Sequence, residues 1–143
     1  MIALRPACDE DVPLLARLAS ASKKELGFIL YPQYFEAIKH ESLITAWEEE
    51  KLVGFVLFHH RRDEQTTLSY LCVDQNTRRK GIGNMLVART VLAAHQAGKH
   101  CVSLKAIETI DANKFYRAQG FVLSATVQGK KSRMNVWKLR WED

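Results

Sequence analysis

Apolar residues along this chain recur first at helical spacing and then in runs of strand length. After a short apolar start, Ile2 to Arg5, that reads as a strand, Val12, Leu15, Leu18 and Ala19 mark one face of a helix reaching about Ser22. Cys8-Asp9-Glu10-Asp11 has the acidic character of a helix start, and Pro13 is tolerated in a first turn. A second, less regular helix is expected over 32–40. Residues 43–48 and 52–60 are apolar runs of strand length, separated by the charged turn Glu49-Glu50-Lys51. A further turn, Arg61-Arg62-Asp63-Glu64, leads to a third strand over 65–74, so the three strands predict an antiparallel meander. A helix follows over 83–97, stopped by Gly98. Its Met85, Leu86, Val87, Val91, Leu92 and Ala94 form a broad apolar surface that should be well buried. Next come a strand over 101–107, a helix over 111–119 ended by Gly120, and a closing pair of strands over 121–128 and 134–141. The pattern predicts an α+β domain, a mixed sheet with helices on it.

The composition is that of an ordinary globular chain: 143 residues, 47% hydrophobic and 26% charged, which fits one domain spanning 1–143. A chain of this size buries roughly 68–70% of its unfolded surface, enough for a core without staples. The longest apolar run, 52–58, is far short of the roughly 20 residues that span a bilayer, and the N-terminus lacks a signal peptide's apolar stretch. Cys8, Cys72 and Cys101 are odd in number and widely spaced, so neither a disulfide framework nor a metal site is expected. The expected setting is reducing and cytoplasmic. The formal charge of +5 leaves three options open, namely nucleic acid, another anion, or no anionic partner at all.

The stretch Arg78-Arg79-Lys80-Gly81-Ile82-Gly83 lies between a strand and a helix. Glycine lets backbone approach a ligand, and a helix N-terminus presents unpaired N–H groups with a favourable dipole. These features suit a phosphate or pyrophosphate. A P-loop is excluded, because one residue separates the glycines and Asn84 follows them. A dinucleotide fingerprint is excluded as well, because Leu86 stands where its third glycine belongs.

Arg78-x-x-Gly81-x-Gly83, preceded by Leu71-Cys72-Val73-Asp74, resembles the acetyl-CoA signature of the GNAT superfamily of N-acetyltransferases. Downstream, Ala112-Asn113-Lys114-Phe115-Tyr116-Arg117-Ala118-Gln119-Gly120-Phe121 is similar to a second family segment, in the expected order and separation. The resemblance covers essentially the whole chain. It implies the GNAT fold, a mixed, mostly antiparallel sheet of about seven strands flanked by four helices, with acetyl-CoA as cosubstrate.

The same resemblance implies that the strands before the glycine loop and after the long helix splay apart. The pantetheine arm would then bond main-chain atoms of Leu71, Cys72 and Val73 as an added strand would. Backbone N–H groups of Arg79, Lys80, Gly81, Ile82, Gly83 and Asn84 would hold the pyrophosphate, with Arg78 at the motif's first side-chain position. An N–H of the 71–73 strand would polarise the thioester carbonyl. Tyr116 matches the family tyrosine near the sulfur; a phenol, with an ordinary pKa of about 10, can donate a proton to a leaving thiolate. Where many members carry an Asn seven residues before that tyrosine, this chain has Thr109, so either Thr109 or Asn113 is expected to contact the cofactor. Thr67 and Leu104 stand where some relatives have a glutamate base, which leaves Glu25, His59, His60, Glu64, Glu108 or water to accept the proton.

The acceptor pocket implied by the fold draws on the first two helices and the loop 23–32, with Phe28 and Tyr31 as candidate contacts. Three readings follow. The first is an N-acetyltransferase acting on a primary amine of a small molecule or protein. The second is an aminoacyl-tRNA-acetylating toxin of the same fold, which requires Arg61, Arg62, Lys130, Lys131 and Arg133 to share one surface with the acceptor mouth. The third is a non-enzymatic acyl-CoA-binding module. No membrane contact is expected. The chain could be a monomer or a homodimer; an exposed final strand with Val136 and Trp137 would suit pairing, while Trp137 and Trp141 would equally suit core closure.

Overall fold

In the computed structural model, which describes residues 1–22, 26–77 and 80–142, the chain starts on strand β1 (Ile2–Pro6) and turns into helix α1 (Val12–Ser20). Helix α2 (Tyr31–Lys39) precedes the meander β2 (Leu43–Glu48), β3 (Lys51–His60) and β4 (Gln65–Val73). Helix α3 (Ile82–Gln96), β5 (Cys101–Ile107), α4 (Ala112–Ala118), β6 (Val122–Gln128) and β7 (Arg133–Arg140) complete the order. The seven strands form one mixed sheet in the order β1-β2-β3-β4-β5-β7-β6. The α+β class and the seven-stranded, four-helix architecture agree with the expectation from sequence.

The sheet is antiparallel except between β4 and β5, where parallel pairing covers only Gln65–Cys101, Thr66–Val102 and Thr67–Ser103. Beyond those three pairs, β4 continues on β3 and β5 continues on β7. The two strands therefore part after Thr67 and Ser103. A bulge accompanies the parting: Phe58 faces Leu68 and Leu57 faces Tyr70, leaving Ser69 as an extra residue on β4. Such an insertion bends the strand and increases its local twist, here directing the end of β4 away from β5.

Alternation along the strands feeds two cores, one on each face. Helices α3 and α4 cover the face bearing Val53, Val56, Phe58, Leu68, Val102, Leu104 and Trp137. Helices α1 and α2 cover Leu43, Phe55, Leu57 and Cys72 on the other face. Helix α3 buries a stripe, Ile82, Leu86, Val87, Thr90 and Ala94, rather than the broad surface its composition suggests, and Leu92 is half exposed. Thr90 fits that stripe because its hydroxyl donates to the Leu86 carbonyl at 2.9 Å. The final strand is not an edge. β7 lies between β5 and β6, its Trp137 is buried, and β6 forms the border of the sheet. The closing hairpin folds back on β5, so a dimer made by pairing along β7 is not available to this arrangement.

The entry to α1 is held by Asp11, whose side chain is almost wholly buried. Burial opposes its charge, but the Cys8 N–H at 2.9 Å, the Arg5 guanidinium at 3.1 and 3.3 Å and the Cys8 thiol outweigh that cost and hold the carboxyl below its ordinary pKa. Arg5 also lies over the Trp47 ring, 4.3 Å from its centroid, which ties β1, β2 and the helix start together. Asp11→Ala should lower stability by about 1–2 kcal/mol, the usual cost of a lost cap. A carboxyl with a depressed folded-state pKa stabilises above its unfolded value and loses that contribution as pH falls. Melting-temperature differences between wild type and variant should therefore be full at pH 7 and shrink below about pH 4.

Candidate active site

The parting of β4 and β5 opens a cavity of about 840 Å³ on the α3/α4 face. Its walls are Leu71 and Val73 of β4, residues 81–84 at the start of α3, residues 109–112 with the carboxylate Asp111 among them, and Phe115 and Tyr116. A second cavity, of about 340 Å³, lies toward α2, whose Gln33 borders it together with Tyr70, Lys105 and Met134. The two share Leu71, Ile110, Ala112 and Tyr116 as common walls. Space therefore runs through the sheet at the point where its strands separate.

The glycine loop is shaped for close backbone approach. Gly81 caps α3 with a left-handed backbone (φ 77°), and a Cβ built on it would point into open space. Residues at the start of a helix have no intrahelical acceptor for their N–H groups, so Ile82, Gly83 and Asn84 are potential donors at the cavity wall. Gly83 has a different reason to be glycine, since an added Cβ would sit 3.1 Å from Cζ of Phe115. The loop is anchored to the β2–β3 hairpin by Lys80 on Glu48 at 2.8 Å and Lys51 on Asp74 at 3.1 Å. Glu48 is held below the ordinary carboxylate pKa chiefly by that lysine. Arg78 and Arg79 lie outside the described residues.

Tyr116 is buried, with its ring edge-on to Phe115 at 5.4 Å and to Phe121 at 5.8 Å. Thr109 borders the larger cavity, whereas Asn113 faces the protein interior. The Asn113 amide group donates to the carbonyls of Ile107, Glu108 and Ile110, and its oxygen accepts from Asn135 and from the Trp137 indole at 2.8 Å. Its side chain joins the turn before α4 to β7. Cys72 points to the opposite face, against α1, so only its main chain belongs to the cavity strand. Arg117 lies over the Trp137 ring, 5.3 Å from the centroid.

None of the described base candidates lines either of these two cavities. Glu64 pairs with Arg140 at 3.2 Å and Glu108 with Arg133 at 3.5 Å. His60 bonds the Thr66 hydroxyl at 2.7 Å, and burial, with Lys99 and His59 nearby, keeps its imidazole below the ordinary pKa. His59 pairs in register with Thr67, at the closed end of the split. Glu25 lies outside the described residues. Leu104 is core, and Thr67 borders a polar groove beside the smaller cavity. The basic turns also separate. Arg61 and Arg62 lie at the Cys101 end of β5, while Lys130, Lys131 and Arg133 lie at its Ile107 end, about 20 Å away along the strand.

The sequence over residues 12–121 matches the family model described as Acetyltransferase (GNAT) family. The chain belongs to this family and is an acetyl-CoA-dependent acetyltransferase by class. No curated protein matches it significantly by sequence. Among solved structures it is similar to Ard1 from Thermoplasma volcanium, at 19% identity and a TM-score of 0.88 over 99% of both chains. It is also similar to a ribosomal-protein-alanine N-acetyltransferase from Brucella melitensis, with 19% identity and a TM-score of 0.80 over 97% of this chain and 99% of that one. A third likeness is to a putative acetyltransferase from Salmonella typhimurium solved with its cofactor acetyl-CoA, at 15% identity and a TM-score of 0.81 over 100% and 95% of the two chains. No described helix is long and apolar enough to cross a membrane.

Two residues outside the motif positions matter to this geometry. Ser69 makes the bulge, and no glycine or proline marks it in the sequence. Asn135, opposite Ala106 on β7, completes the Asn113 network and is a buried amide between the apolar Met134 and Val136. Asn113→Ala should cost about 2–3 kcal/mol, because carbonyls and the Trp137 N–H lose their partner in a buried setting. It should also raise the KM for acetyl-CoA by loosening Thr109 and Ala112, measured by melting and steady-state kinetics together. Gly83→Ala should cost about 1–3 kcal/mol by forcing Phe115 aside, read by the same melting experiment.

Proposed function

We propose that this chain acetylates a primary amine of a small molecule or protein, with acetyl-CoA on the α3/α4 face and the amine on the α2 face. The observation that carries the reading is the shared wall at Leu71, Ile110, Ala112 and Tyr116, where two cavities on opposite faces meet. The residues present suit the cosubstrate: an open left-handed glycine, a helix start and a stretch of β4 from which β5 has parted line one large cavity.

Bound acetyl-CoA supplies an activated acyl group. The chain supplies position and protons. In this reading the β5-facing edge of β4 beyond Thr67 offers main-chain groups of Leu71, Cys72 and Val73 to the extended pantetheine, as a sheet edge takes up a strand. One N–H of that edge points at the thioester carbonyl and stabilises negative charge on its oxygen. N–H groups of Lys80, Gly81, Ile82, Gly83 and Asn84 take the pyrophosphate at the start of α3, with Arg78 and Arg79 adding charge. Thr109 bonds the cofactor from the opposite wall. Tyr116 delivers its phenolic proton to the sulfur as the thiolate leaves.

Asp111 is the one described carboxylate on the larger cavity, and no described carboxylate or imidazole borders the smaller one. In this reading the amine therefore reaches the site neutral and sheds its proton on attack to water, which also returns a proton to Tyr116. That favours acceptors with a substantial neutral fraction, such as a chain-terminal α-amine with an ordinary pKa near 8, over a lysine side chain near 10.4. The two basic turns lie at opposite ends of β5, which supports the amine reading over the tRNA one.

A thiol-release assay with acetyl-CoA against amines, peptides and aminoacyl-tRNA tests the reading. We expect turnover with an amine or peptide acceptor, and Tyr116→Phe should lower kcat about 10²-fold with little change in KM for acetyl-CoA. Cofactor binding without turnover on any acceptor would favour the non-enzymatic reading. A protein that binds neither acetyl-CoA nor CoA would overturn the assignment of the cavity.

A further inference from the structure

On the α1/α2 side, those helices pack against β2, β3 and β4, and a groove runs past them over β5 and β7. Alternation places this surface. Val102, Leu104, Ala106 and Trp137 face the α3/α4 core, so Ser103, Lys105, Val136 and Lys138 face the other way. The register sets Lys138 opposite Ser103 and Lys105 opposite Val136, making the two lysines diagonal neighbours, roughly 7 Å apart at Cβ. The groove, of about 510 Å³, is lined by Arg61, Thr67, Ser69, Ser103 and the two lysines among others. It shares Leu68, Ser69, Leu104 and Lys105 with the smaller of the two cavities that meet at Tyr116.

Among the described residues, charge in this continuous space has one sign. No described aspartate or glutamate borders either the groove or the smaller cavity. The carboxylates on adjoining segments are already paired: Asp63 with Arg61 at 3.1 Å, Glu64 with Arg140 at 3.2 Å and Glu108 with Arg133 at 3.5 Å. Lys105 and Lys138 are paired with none of the described carboxylates. Two cations over a floor of hydroxyls, next to the place where an amine must react, form a subsite for an oxyanion and repel a second amine. We propose that the acceptor carries a side-chain carboxylate close to its reacting amine and that Lys105 and Lys138 bind it. This inference rests on the acetyl-transfer reading, and it narrows the acceptor to an acidic amino acid or a peptide with an acidic residue near its N-terminus.

Matched acceptors separate the charge from everything else. Glutamate is compared with glutamine, and the peptide amide Ala-Glu-Ala with Ala-Gln-Ala, in the thiol-release assay at low salt. The acidic member of at least one pair should show roughly tenfold higher kcat/KM, carried by KM and shrinking as salt screens exposed charge. The pair that shows the effect identifies the source. Lys105→Gln/Lys138→Gln should bring the ratio close to one, Lys105→Arg/Lys138→Arg should restore it, and Arg62→Gln, outside the groove, should leave it unchanged. Equal use of both members, or preference for the neutral or a cationic amine, would overturn the proposal.

A second measurement does not depend on turnover. N-acetyl-glutamate and N-acetyl-glutamine are titrated with and without CoA while the backbone resonances of Lys105 and Lys138 are followed by NMR. Charge-selective shifts abolished by the double glutamine variant support the subsite, even if cofactor binding fails and the acetyl-transfer reading falls with it. Absence of charge selectivity overturns it. So does a single-stranded RNA probe that binds through these lysines when neither acetylated amino acid does.

Discussion

The separation of β4 from β5 is the constraint on which the site depends. Adjacent strands in a sheet gain by continuing their ladder, and backbone groups left unpaired in an interior are costly. Here pairing stops after three residue pairs, although β4 runs on to Val73 and β5 to Ile107. Each strand keeps its outer neighbour, β3 or β7, so only the inner edges lose partners. The Ser69 bulge gives β4 its change of direction, and the buried Tyr116 ring borders the space from the α4 side. A gap of this kind is at once a strand-shaped binding edge and a passage between the two faces. Both properties are needed for a transfer reaction whose partners approach from opposite sides.

Holding such a gap in one shape requires its two rims to be fixed independently. On the β4 rim, Lys80 and Lys51 tie the glycine loop to the β2–β3 hairpin through Glu48 and Asp74. Exposed ion pairs of this kind contribute little stability, so their value lies in placing the loop. On the β5 rim, Asn113 binds three carbonyls of the turn before α4 and is itself held by Asn135 and Trp137. That network is partly buried, where each hydrogen bond has more effect on geometry. The two rims meet where Phe115 packs over Gly83 with no room for a side chain.

Element order and type were legible from hydrophobic spacing, because each helix and strand buries one face at its own period. The described boundaries fall within two residues of those read from the pattern. The glycine loop and the Phe115-Tyr116 segment were legible because their chemistry is local: a left-handed residue, a helix start, an aromatic pair. What sequence could not supply was anything set by register. Ser69 is an ordinary strand residue until its neighbours are paired with β3. Asn113 and Thr109 were equivalent as nearby polar groups, and only the position of β7 assigns Asn113 to the interior. Leu92 reads as core by composition, yet it falls off the buried stripe of α3. The last strand reads as an edge because it ends the chain, but the hairpin reverses that order.

Register also changes the meaning of the positive charge. The glycine loop and the Phe115-Tyr116 segment together carry Arg78, Arg79, Lys80, Lys114 and Arg117. Of the motif cations whose positions are described, Lys80 is neutralised by Glu48 and Arg117 rests on an aromatic ring. In its proposed role that loop would bind phosphate through backbone geometry as much as through side-chain charge, since a helix start and an open glycine present N–H groups at fixed positions. Elsewhere, Arg5, Arg61, Arg133 and Arg140 each have a carboxylate partner. Lys105 and Lys138 share one face of the sheet beside the acceptor cavity. Net charge counts both populations alike, but a cation beside its own carboxylate exerts less field on an incoming molecule than an unpaired one. On the α2 side of the sheet, that field belongs to the proposed acceptor subsite.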